Sequence, residues 1–147
     1  MPRFLRAGYD GMMPKVSAFL LGFFLFLIPA APTTIDVESQ TGMQRERVYK
    51  LAKTLNFKKQ PMVDYWKILI LSPENWEDSI LQTKVNTKTA YTNLFLHETF
   101  LNSSALPYMN DWDIRHLLGH EAGHLICNCA SEDTANRIAD SLMNKRD

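Results

Sequence analysis

The chain lacks an excess of either charge. Sixteen Lys and Arg balance sixteen Asp and Glu, so the formal net charge is zero over 147 residues. With no basic excess, nothing argues for a nucleic-acid partner; with no acidic run, nothing argues for a solvating tail. Repeats and low-complexity tracts are absent as well. An ordinary spanning helix is also missing, since the apolar run Val16–Ile28 falls short of the roughly 20 residues a bilayer requires. Cysteine is scarce: Cys127 and Cys129 are the only two. Residues two apart rarely adopt disulfide geometry, so the expectation is two small buried thiols.

What is present begins with a targeting segment over residues 1–31. Arg3, Arg6 and Lys15 precede the run VSAFLLGFFLFLI, and Pro29-Ala30-Ala31 come after it. A basic region, a short apolar stretch and small residues describe a secretory signal. Cleavage after Ala30 avoids placing Pro32 just past the cut. The basic region is long, and a start at Met12 or Met13 would make it more ordinary. An uncleaved segment would instead anchor the chain in a membrane. The expected product is thus secreted or periplasmic, with residues 32–147 forming one domain.

Within that domain Thr33–Gln40 reads as a polar lead-in. Thr41–Asn56 carries Met43, Val48, Leu51, Ala52 and Leu55 near helical spacing. Met62–Leu71 (MVDYWKILIL) is aromatic and β-branched and reads as a strand. Pro73–Leu81 reads as a short helix capped by Ser72, Lys84–Thr89 as a turn, and Ala90–Leu96 as a second strand. His97-Glu98 has Leu101 where a second histidine would be needed, so it begins no motif. Phe100–Met109 reads as a link to the C-terminal helices.

The chemistry lies in His120-Glu121-Ala122-Gly123-His124. On a helix, residues four apart share a face, so both imidazoles can grip one metal ion. Glu121 lies about 100° round from His120, where it can reach a nearby water without being a ligand. Two nitrogens, an open position and a general base are what a zinc hydrolase needs. Asp111 or Asp113 is expected to cap this helix, and Gly123 allows close packing or leaves room near a ligand.

Eight residues after His124 comes Glu132-Asp133-Thr134-Ala135-Asn136. Together with H-E-x-x-H, this E-x-x-A-N run resembles the gluzincin metallopeptidases. Its pattern is most similar to the small ImmA/IrrE-like members, over Trp112–Leu142. The resemblance implies an α+β, minimal zincin-like fold: a small sheet with an edge strand, here Ala90–Leu96, beside the metal-site helix, then a second ligand-bearing helix. It implies one Zn²⁺ held by His120, His124 and Glu132, Glu121 as the catalytic base, and a peptide or protein substrate. Asn136, one turn after Glu132, would orient a ligand. Many gluzincins also carry a His or Tyr after the third ligand to steady the oxyanion; none comes after Glu132 here. His116, Tyr91 and Tyr108 are the upstream candidates for that role. Cys127, three residues after His124, is an alternative soft ligand. The other reading is a catalytically degenerate zinc-binding module that serves as a protein-interaction domain.

Overall fold

The computed structural model describes residues 33–57 and 64–144. The targeting segment, and Met62 and Val63 of the expected strand, lie outside the described residues. The rest is α+β: four strands and four helices in the order β1 (Thr34–Ser39), α1 (Arg45–Lys53), β2 (Tyr65–Leu71), α2 (Pro73–Thr83), β3 (Ala90–Asn93), β4 (Glu98–Asn102), α3 (Asp111–Cys127) and α4 (Glu132–Met143). No described helix is long and apolar enough to cross a membrane.

Two strands appear where a lead-in and a link were expected. β1 occupies the supposed polar lead-in; Ile35 and Val37 alternate with Asp36 and Glu38, the period of a half-buried strand. β4 begins just past the expected second strand, which stops at Asn93 instead of Leu96. The Asn93 side chain accepts hydrogen bonds from the backbone N–H groups of Phe95 and Leu96. That local turn reverses the chain despite three apolar residues in a row. The first helix is also shorter than its periodicity predicts. Gly42 and Gln44 adopt left-handed φ of 70° and 63°, so Thr41–Gln44 form a turn ahead of α1.

The sheet order is β1-β2-β4-β3, with β1, β2 and β4 parallel and β3 antiparallel to β4 at one edge. Successive strand residues point to opposite faces. One face sets Val37, Trp66, Ile68, Ile70, Ala90 and Leu101 into the core with Val48 and Ala52 of α1 and Ile114, Leu118 and Ala122 of α3. The other face is more polar and carries α2. There Trp76 packs on Tyr91, which stacks on Phe100.

The start of α3 is fixed from several sides. Its cap is Asn110 rather than either aspartate: Asn110 Oδ1 accepts from Asp113 N at 2.9 Å, and Asp113 Oδ2 accepts from Asn110 N at 3.4 Å. Asn110 is extended, the conformation a cap requires, while both aspartates lie inside the helix. Arg47 of α1 donates to Asp111 Oδ1 at 2.7 Å and to the Met109 carbonyl at 2.8 Å. Ser72 caps α2 as its sequence predicts, accepting from Asn75 N at 3.3 Å.

Candidate metal centre

α3 and α4 cross where both carry small residues. A Cβ added at Gly123 would sit 2.5 Å from the Ala135 carbonyl oxygen, and one at Gly119 would sit 3.5 Å from Ala139 Cα. Gly123 therefore permits close backbone approach, which brings the first turn of α4 beside His120 and His124. The turn between them spans residues 128–131. Asn128 closes α3 in the left-handed conformation (φ 47°), and Ser131 opens α4 by accepting from Thr134 N. Glu132 is then the first residue of α4.

Three side chains converge. The Nε2 atoms of His120 and His124 are 3.1 Å apart. Glu132 Oε2 lies 3.0 Å from His120 Nε2, and Oε1 lies 3.6 Å from His124 Nε2. The three ligand atoms all fall within 4.8 Å of one another, so this group could hold a metal ion. The outer nitrogens are engaged: His124 Nδ1 lies 2.9 Å from the Cys129 carbonyl oxygen, and His120 Nδ1 lies 2.8 Å from Asn136 Oδ1. A carbonyl oxygen only accepts, so each Nδ1 carries a hydrogen, and the Nδ1–H tautomer of each ring has its Nε2 lone pair turned inward. In that tautomer two lone pairs and a carboxylate face one another, an arrangement a cation would stabilise. An ion about 2.0–2.1 Å from each ligand atom in tetrahedral geometry sets ligand atoms about 3.3 Å apart, close to the observed spacing.

Glu121 is buried, 5% exposed, and lines a cleft of about 520 Å³ with His120, His124, Glu132, Thr92 and Leu117. Burial pushes its carboxyl above the usual carboxylate range, partly opposed by a hydrogen bond from Thr92 and by the two imidazoles. The cleft runs between α3 and the edge strand β3.

The other candidate residues have partners of their own. His116 stacks on Trp112 at 5.2 Å and lines a second hollow of about 330 Å³ that shares Leu117 and His120 with the cleft. Tyr91 lines the cleft, but its hydroxyl is bonded to Ser79 of α2 at 2.6 Å. Tyr108 is 91% exposed and lines neither hollow. Cys127 and Cys129 are joined by a disulfide, contrary to the expectation of free thiols. The left-handed Asn128 between them brings their Cα atoms to 5.1 Å, inside the usual disulfide range. Cys127 therefore has no thiolate to offer a metal.

Three residues at the site had no place in the sequence reading. Trp66 Nε1 donates to Thr99 Oγ1, Thr99 Oγ1 meets Thr92 Oγ1, and Thr92 donates to Glu121 Oε2, at 2.8, 2.8 and 2.6 Å. A signal existed: Thr92 shares a strand face with the apolar Ala90, and a polar residue turned inward needs a partner.

The chain matches no family model, no curated protein and no solved structure.

Proposed function

We propose that the chain is an exported zinc-dependent peptidase of the gluzincin type, with a minimal zincin-like fold. The observation that carries this reading is the convergence of His120, His124 and Glu132 beside a buried Glu121, at a cleft bounded by an edge strand. Two imidazole nitrogens and a carboxylate, with room left beside them, form a donor set suited to catalytic zinc. When bound there, zinc supplies Lewis acidity and lowers the pKa of water toward about 7. Glu121 takes the proton of the attacking water and delivers it to the leaving amine. Burial raises its proton affinity, which suits that exchange. Asn136 and the Cys129 carbonyl hold the imidazoles in the tautomer that leaves Nε2 free. β3 offers an exposed edge on which an extended peptide can add as a further strand.

Export rests on the signal-like segment, and the disulfide suits an oxidising compartment. Mass spectrometry of the secreted chain should give an N-terminus at or near Ala31, and a cytoplasmic protein with Met1 or Met13 intact would reject it. The activity is tested by metal content and by chelator-sensitive hydrolysis of an unstructured protein such as casein. One observation favours the second reading, a degenerate zinc-binding module: the Tyr91 hydroxyl is engaged by Ser79, His116 stacks on Trp112, and Tyr108 lies outside the cleft, so none of the three has an assigned role at an oxyanion. Stoichiometric metal with no turnover on any unstructured substrate would select it.

A further inference from the structure

The geometry points to Thr92 as the positioning residue for Glu121, acting as the last member of a buried hydrogen-bond chain that starts at Trp66. This rests on the peptidase reading above. Thr92 of β3 pairs directly with Thr99 of β4, and both face α3. Thr99 and Trp66 are fully buried, where an unsatisfied polar group would be costly. The direction of the chain is set by its ends. Thr92 gives its one hydroxyl hydrogen to Glu121 Oε2, so towards Thr99 its oxygen can only accept, and the Thr99 hydrogen goes to Thr92. The indole nitrogen of Trp66 can only donate, and the Thr99 oxygen accepts from it.

The consequence falls on the carboxylate. The terminal torsion of a glutamate is soft, so the group is free to turn unless something grips it. Thr92 grips one oxygen from a β-branched side chain that is itself stiff. The remaining oxygen, Oε1, is then the one presented to the cleft and to the proton in transfer. Thr92 touches neither substrate nor ion in this scheme; it fixes which oxygen of Glu121 works, and where.

The experiment uses the full mature chain loaded with zinc or cobalt(II), as wild type, Thr92→Val, Thr92→Ser and Glu121→Gln. Valine keeps the shape and removes the hydroxyl; serine keeps the hydroxyl. Thr92→Val should lower kcat about 10–100-fold, the usual cost of losing a supporting partner, with KM and metal content unchanged. Thr92→Ser should restore kcat to within a few-fold. In the cobalt form, Thr92→Val and Glu121→Gln should alter the visible bands in the same direction, and Thr92→Ser should match wild type. Wild-type kcat and bands in Thr92→Val would overturn the assignment, as would a serine variant as impaired as the valine one. If the wild type binds metal but cleaves nothing, the peptidase reading falls. The bands then decide for Thr92 alone: a shared shift supports positioning, and unshifted bands overturn it. A wild type that takes up no cobalt removes both.

Discussion

The two helices that meet at the site are built on opposite terms. α3 is enclosed: Ile114, Leu118, Gly119, Glu121, Ala122, Gly123, Leu125 and Ile126 are all buried. α4 fully buries only Ala135, Ala139 and Leu142, with Ile138 and Met143 packed half-buried against the core. Their candidate ligands differ in the same way. The side chains of His120 and His124 are 17% and 12% exposed, each with its outer nitrogen engaged, while that of Glu132 is 72% exposed. The histidines are therefore ordered before any ion arrives. Glu132 has its backbone placed by the Ser131 cap and its side chain held only by the ligand cluster itself. Ordering such a side chain costs up to about 2 kcal/mol. On the proposed reading, α3 would carry the preorganised part of the site and α4 would close it.

The largest effect should come from the enclosed helix. Glu121→Gln preserves shape and leaves all three ligand side chains in place. It should bind near-stoichiometric zinc, fold normally and lose about 10²–10⁴ in turnover, the usual cost of removing a general base. Metal content and peptide hydrolysis measured on one preparation check this. Full activity would sink the mechanism, and lost zinc would make Glu121 a ligand.

The next effect belongs to α4 and tests whether its exposed ligand matters. Glu132→Ala should weaken zinc binding by more than the 10–100-fold typical of a supporting partner. Asp133→Ala, one residue on and turned to solvent, should change it little. A competition titration with a chromogenic chelator reads both. Reversed effects would make Asp133 the ligand, and the contrast between a rigid and a closing helix would need redrawing.

Gly123→Ala strikes the seam between the helices. The new Cβ would press on backbone, the Ala135 carbonyl at 2.5 Å, so α4 itself must move. Overpacking of this kind typically costs about 1–3 kcal/mol. Thermal unfolding should shift down by that amount, and zinc affinity should fall with it because Glu132 rides on the displaced helix. An unchanged unfolding midpoint would mean that the seam is softer than its spacing indicates.

How much of this was legible in sequence depends on how local each signal is. Ser72-Pro73 marks the start of α2 and its cap within two residues. The spacing of His120, His124 and Glu132 spans one helix and one turn, and those side chains do come together. β4 was lost because Leu94, Phe95 and Leu96 prolong an apolar run through a turn made by a single side chain, Asn93. The bonded cysteines needed the left-handed Asn128, a conformation not readable from residue type alone. The Trp66–Thr99–Thr92–Glu121 chain joins three strands and a helix. It depends on strand register, which no local pattern encodes.

The smallest effect should come from Asn136, and it tests the comparison most finely. Asn136 lies on the exposed helix, yet it acts on a ligand of the enclosed one: its Oδ1 takes the Nδ1 hydrogen of His120 across the seam. That bond selects the tautomer whose Nε2 lone pair points at Glu132 and His124. Asn136→Ala leaves every ligand and every core contact in place, so folding stability should hardly change. His120 then loses its tautomer preference and part of its orientation, at a cost near the low end of the usual range, about tenfold in zinc affinity. Asn136→Asp keeps an acceptor at the same position and should retain most of the affinity. A chelator titration on the three proteins measures it. If Asn136→Ala binds zinc as wild type does, α3 orders its histidines without help, and α4 contributes Glu132 alone.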